Sequence, residues 1–205
     1  MTPIRCVKVF HVAFGHPVRI EAPAFIDENL IAFRLRLIRE EAREFDEAVL
    51  YFDSALMLDA LSDILYVVCG AAWSFGLAGF PAYAAELDGL LADAVPDVLP
   101  VNLRLRASEV ANRIDDHVVA IEDACAEQDV VRVGFALTNL YDLVVQAATI
   151  LRLPLKAGFE EAHRTNMLKL GPDGKPIYRE SDGKVLKPEG WTPPDFKRVL
   201  AESRR

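Results

Sequence analysis

Apolar residues recur every three to four positions along most of the chain, the spacing of amphipathic helices. Leu30, Phe33, Leu37, Ile38, Phe45 and Val49 form one such stripe, and Asp27 stands where an N-cap is expected. The spacing predicts a helix from there to about Tyr51, a turn near Phe52-Asp53 and a second helix to about Leu77. A short helix is expected over 5–14, ended by Gly15-His16-Pro17, and others near 82–93, 104–127, 130–152 and 155–169. Residues 79–81 and 96–100, rich in Gly and Pro, read as breaks. The expected class is all-α, a helical bundle.

From Gly171 the pattern stops. Gly, Pro and Lys dominate, and Asp173-Gly174-Lys175 and Asp182-Gly183-Lys184 read as hairpin turns. The expected organisation is a helical domain over 1–170 and a tail over 171–205.

The helical part repeats at an offset of 76 residues without gaps. Ala60-Leu61-Ser62-Asp63 meets Ala136-Leu137-Thr138-Asn139, Ala71-Ala72 meets Ala147-Ala148, and Leu77 meets Leu153. The order long helix, long helix, short helix also recurs, giving two pseudo-repeats over about 28–93 and 104–169. They differ in their polar residues. Glu40, Glu41 and Glu44 give way to Asp116, His117 and Ala120, and Asp59 and Asp63 to Phe135 and Asn139. The first copy alone keeps an acidic cluster.

Composition narrows the function. A hydrophobic content of 52% over 205 residues supports a sizeable core, and a net charge of −8 argues against binding nucleic-acid polymers. Charge is unevenly spread: residues from Arg164 onward are net +4 and the rest net −12. Cys6, Cys69 and Cys125 are widely spaced and odd in number, as expected of reduced thiols in a cytoplasmic protein. The first residues lack the basic-then-apolar pattern of a signal peptide. The apolar stretch 55–77 carries Asp59 and Asp63 with no basic residue, which argues against a membrane span.

Those two aspartates matter more than their number suggests. Glu40, Glu41 and Glu44 lie three to four residues apart, on one helical face, and Asp59 and Asp63 are four apart on the next helix. In an antiparallel hairpin turning at 51–52, Glu44 comes level with Asp59 and Glu40 with Asp63. Five carboxylates then converge roughly 12–18 Å from the turn at about 1.5 Å per residue. Such crowding favours either protonation or a bound cation, and oxygen-only ligands suit Mg²⁺ or Mn²⁺.

Glu40-Glu41-Ala42-Arg43-Glu44 fits the EExxE motif of the MazG-like, all-α nucleotide pyrophosphohydrolases, a superfamily that includes dimeric dUTPases and phosphoribosyl-ATP pyrophosphohydrolase. Asp63-Ile64-Leu65-Tyr66 resembles the end of its second motif, ExxD, although the expected Glu falls on Ala60 and leaves a DxxxD pair. The segment 162–169, with Asn166-Met167-Leu168-Lys169, and the tail Asp182-Gly183-Lys184 to Trp191 resemble bacterial and phage members, as does 10–17.

The resemblance implies Mg²⁺-dependent hydrolysis of a (deoxy)nucleoside triphosphate to the monophosphate and pyrophosphate. Glu40, Glu41, Glu44, Asp59 and Asp63 would be the metal ligands, with Glu41 or Glu44 taking the proton of the attacking water. Lys169, Lys184 and Lys187 would clamp phosphates, Asn166 would orient a phosphate or the sugar, and the tail would act as a lid. Phe10, His11, Phe14, Tyr66 and Trp73 are candidates to meet the base, although aromatics at helical spacing are more often core. A homodimer or a pseudo-dimeric monomer is expected. The alternatives are a phosphoribosyl-ATP pyrophosphohydrolase and an inert nucleotide-binding scaffold.

Overall fold

The computed structural model of the chain describes residues 2–79, 87, 101–179 and 185–203. The described elements are helices α1 (Pro3–Ala13), α2 (Glu28–Tyr51), α3 (Ser54–Phe75), α4 (Val101–Ala126), α5 (Val130–Leu151), α6 (Leu155–Met167) and α7 (Phe196–Ser203). Among the described residues β-pairing is limited to two isolated antiparallel bridges, Leu170 with Pro176 and Tyr178 with Val185. The first closes over the Asp173-Gly174 turn. The second DG turn and the helix expected at 82–93 lie outside the described residues.

Local chemistry sets the helix ends. The Asp27 carboxylate accepts from the Leu30 N–H at 3.1 Å, capping α2 where the sequence placed the cap. Asp53 caps α3 through the Ala55 and Leu56 N–H groups at 2.8 and 3.2 Å. Between them Phe52 turns the chain with a left-handed φ of 54°.

The 76-residue offset reappears in this backbone detail. Gln128 matches Phe52 with a φ of 55°. Asp129 matches Asp53, its carboxylate accepting from Val131 and Arg132 at 3.0 Å. Gly76 and Arg152, both left-handed, end α3 and α5. Beyond them Leu77 and Leu153 each donate at 2.8 Å to the carbonyl five residues back.

The two hairpins form a ring in which α2 touches α3 and α4, and α5 touches α3 and α4. Helix α3 is the hub, also packing against α1, α6 and α7, and this explains its lack of basic residues. By length and composition α3 and α5 could cross a membrane, but 78% and 56% of their most apolar stretches are buried inside the protein. Helix α6 approaches α3 closely at Gly158, where a Cβ would meet Leu58 Cδ1 at 2.6 Å and Ser62 Oγ at 2.8 Å.

Helix α7 was not expected. Phe196, Val199 and Leu200 bury one face of it against the core. Its anchor is Glu161 on α6, 5% exposed, which accepts from Arg164 Nε and Nη2 (both 2.8 Å), Arg198 Nη2 (3.1 Å) and the Asp195 N–H (2.9 Å). Trp191 adds a bond from Nε1 to the Thr165 carbonyl at 2.9 Å. The last stretch of the tail is therefore a strap across α6.

The Arg164 hydrogen bonds, helped by the Asp195 N–H and Arg198, hold the Glu161 carboxyl down to about 2. Its folded pKa lies below its unfolded value, so its stabilisation is complete above about pH 4.5 and is lost as pH falls toward 2. Glu161→Gln should cost about 1–3 kcal/mol at pH 7 and lessen the acid sensitivity below pH 4.5. Urea unfolding at pH 3 and 7 measures both; an unchanged midpoint at pH 7 would show that the strap is not held by this carboxylate.

Candidate functional site

A pocket of about 210 Å³ opens between α1, α2, α3 and α6, lined at one end by Glu41, Asp63 and Lys169 and at the other by His11, His16 and Arg34. Phe10, Phe33, Tyr66 and Asn166 complete its walls. It is lined by four elements because α1 and α6 both lie on α3, the helix that α2 returns against.

The carboxylates behave as one group. Burial raises the Glu41 carboxyl far above the ordinary carboxylate range, and Asp63, Glu44, Glu40 and Asp59 push it further up. Asp63 is raised by burial and Asp59, against a lowering pull from Lys169. Asp59 is pushed up to about 6 by burial and Glu44, and Glu44 is raised by burial and Glu40. Glu41 therefore feels all four of the other acidic positions singled out in the sequence. They are not equivalent, however. Glu41 and Asp63 line the pocket, whereas Glu40 is exposed and faces the neighbouring groove with Arg36, Arg39 and Arg43.

Among the described residues, no three Asp, Glu, His or Cys side chains already stand in an arrangement that could hold a metal ion. The chemistry of the donors nonetheless suits one: oxygen ligands only, half-buried at Glu41, Asp59 and Asp63, and mutually repelling.

The remaining expected residues divide. Lys169 lines the pocket and donates to Asn166 Oδ1 at 2.6 Å. Lys187 lies instead 4.0 Å over the Trp191 ring. Lys184 lies outside the described residues. Tyr66 is at the pocket wall, its hydroxyl 3.1 Å from His163 Nδ1 and its ring edge-on to Phe10. Two base-contact candidates are structural. Phe14 is buried, stacked on Phe10, and Trp73 donates from Nε1 to the Ile4 carbonyl at 2.8 Å, tying α3 to α1.

Sequence reasoning missed Arg34, His16 and Phe33. Arg34 is 4% exposed, and burial lowers its guanidinium only to about 10, leaving it charged at neutral pH. Burial and the nearby Arg34 charge push His11 down to about 3 and His16 to about 4, so both imidazoles are neutral. In the second hairpin, Asp116, Phe135 and Asn139, the counterparts of Glu40, Asp59 and Asp63, are exposed.

Comparisons with known proteins relate this bundle and its acidic pocket to the all-α pyrophosphohydrolases. Residues 7–88 match the family model of phosphoribosyl-ATP pyrophosphohydrolase. The chain is similar over 98% of its length to a solved structure, assigned as an NTP pyrophosphohydrolase, from Exiguobacterium sp. 255-15. The TM-score is 0.53, identity is 25%, and 92% of that chain is covered. An uncharacterized protein of Acanthamoeba polyphaga mimivirus is 27% identical over 188 residues, 82% of this chain and 71% of that one. In fold and over residues 7–88 the chain is similar to pyrophosphohydrolases of the MazG-like kind.

The raised carboxylates fix a pH dependence. Folded Glu41, Asp63 and Asp59 hold protons that the unfolded chain has already released, so stability must fall as pH rises above about 4 and through 6, where Asp59 ionises. Metal-free protein should show a Tm that declines from pH 5 to 8, and Glu41→Gln should flatten the decline and raise the Tm at pH 8. Differential scanning calorimetry checks this; a variant less stable than wild type at pH 8 would mean that the cluster is not strained.

Proposed function

We propose that the chain hydrolyses a (deoxy)nucleoside triphosphate to the monophosphate and pyrophosphate in a Mg²⁺-dependent reaction. The observation that carries this reading is the set of electrostatically coupled carboxylates on α2 and α3, placed beside Lys169 and Asn166 in one pocket. Glu41, Glu44, Asp59 and Asp63 would hold Mg²⁺, or Mn²⁺ in its place, with Glu40 at the rim, their side chains turning toward one another on binding. The bound ion would neutralise phosphate charge and acidify the attacking water.

The chain's own residues do the rest. Water attacks the α-phosphorus, its proton passes to Glu41 or Glu44, and the bond to the bridging oxygen of the β-phosphate breaks to release pyrophosphate. Asn166 holds the Lys169 ammonium at the acidic end of the pocket, where it meets the phosphates. The family matched by residues 7–88 favours phosphoribosyl-ATP as a second reading of the substrate. The cover that α4 and α5 provide favours a pseudo-dimeric monomer over a homodimer, and the reduced thiols suit the cytoplasm, of a bacterium or of a phage's host.

A panel of dNTPs, NTPs and phosphoribosyl-ATP with Mg²⁺, products resolved as mono- or diphosphate, tests the reaction. Pyrophosphate release is expected, falling on the order of 10²-fold or more in Glu41→Gln and Glu44→Gln. Asp116→Asn and His117→Ala should retain normal rates. No Mg²⁺-dependent pyrophosphate from any substrate would contradict the reading.

We further propose that residues 169–190 act as a lid, because Lys169, Lys184 and Lys187 around Gly-rich turns would gain anion contacts only when phosphates are bound. Truncation after Leu170 would also remove the α7 strap. Replacing 172–187 by a short Gly/Ser linker keeps Trp191 and α7, and should lower kcat while leaving the Tm nearly unchanged. Full activity in that variant would end the lid assignment.

A further inference from the structure

The proposed reaction uses the acidic end of the pocket and leaves its cationic end without a role. Arg34 lies seven residues before Glu41 on α2, and Gly70 seven after Asp63 on α3, so that end sits about 10 Å along the hairpin from the carboxylates. This is about the distance from an α-phosphate across a sugar to the far edge of its base.

Arg34 is built in but not satisfied. Its Nε donates to Ser74 Oγ at 3.0 Å, while the buried Nη2 has no acceptor among the described residues. Among these residues no carboxylate pairs with it either. A buried guanidinium N–H without an acceptor is costly, and a ligand that brings the acceptor removes that cost.

Next to it, Gly70 keeps a space open. A Cβ there would lie 3.0 Å from His11 Nε2 and 3.2 Å from Arg34 Nη1. Glycine in a helix interior is otherwise unfavourable. The His11 Nδ1 is 2.8 Å from the Pro17 carbonyl, which can only accept, so the proton is on Nδ1 and Nε2 offers a lone pair. The subsite thus sets the Arg34 guanidinium, its Nη2 lacking an acceptor among the described residues, beside an imidazole acceptor.

Phe10, Phe33 and Tyr66 supply flat walls. Such walls suit a planar, uncharged ring better than a phosphate dianion, for which one cation among apolar faces is poor company. Around their edges, guanine (N7, O6, N1–H) and cytosine (O2, N3, N4–H) each offer acceptor, acceptor, donor in sequence. Adenine and thymine or uracil alternate acceptor and donor. An arginine fork requires two neighbouring acceptors.

We propose that the Arg34–His11 end of the pocket reads the nucleobase and selects guanine or cytosine over adenine and thymine or uracil. This rests on the pocket being a nucleotide site, as proposed above.

The test is equilibrium binding of dGMP, dCMP, dAMP and dTMP to the full chain by calorimetry, without metal, so that it does not depend on turnover. We expect dGMP or dCMP to bind at least about tenfold more tightly than dAMP and dTMP. Arg34→Lys keeps the charge but loses the fork, and should bring the four to within about threefold of one another. If that variant does not fold, Gly70→Ala, which fills the cradle, should do the same. Equal affinities, a preference for dAMP or dTMP, no binding, or equally strong competition by inorganic phosphate would each overturn the proposal. Base preference without Mg²⁺-dependent pyrophosphate release would instead remove the hydrolase reading and leave this one standing.

Discussion

Everything at the site depends on carboxylates crowded together where water reaches them only in part. Asp59 and Asp63 project from the most buried helix of the bundle, and Glu41 meets them from α2. Like charges in that position raise one another's pKa, and among the described residues Lys169 opposes this at Asp63. The fold bears this strain because α3 is packed on every side, by α1, α2, α5, α6 and α7, and can hold side chains where they would not choose to be. A site that is costly when empty is one whose occupation by a cation is favourable on two counts, Coulomb attraction and relief of repulsion.

The pocket also has a polarity. Acids stand at one end, an arginine and two neutral histidines at the other, and aromatic rings line the space between. Both ends are fixed by the same α2–α3 hairpin, whose turn is set by the left-handed Phe52 and the Asp53 cap. The second hairpin copies those turn details at Gln128 and Asp129 but carries His117 and Asn139 where the first has its pocket acids, Glu41 and Asp63. Its part is to complete the bundle, packing α4 on α2 and α5 on α3.

Much of this was legible in the residues. Period, the Asp27 cap and the Phe52-Asp53 turn placed α2 and α3, and period placed α5 and α6, to within a residue or two. The hairpin register brought the acids together from numbering alone. Helix α7 was hidden by its surroundings: Phe196, Val199 and Leu200 have helical spacing and Asp195 caps the Arg198 N–H at 2.9 Å, yet they lie in a stretch dominated by Gly, Pro and Lys. Arg34 was overlooked for a different reason. It shares the buried stripe with Leu30, Ile38 and Glu41, but the nearby Arg36 and Arg39 made it look like one of several surface cations. Charged residues that interrupt an apolar stripe seven apart were the available signal. Lys187 shows the converse limit, since sequence could not tell a phosphate clamp from a cation resting on Trp191.

On the proposed function, these carboxylates stay partly protonated until a divalent cation takes the protons' place. Calorimetric titration of the protein with Mg²⁺ at pH 6, repeated in buffers of different ionisation enthalpy, measures that exchange directly. Binding should be accompanied by proton release, diminished in Glu41→Gln. Binding with no proton release, or no binding at all, would contradict it.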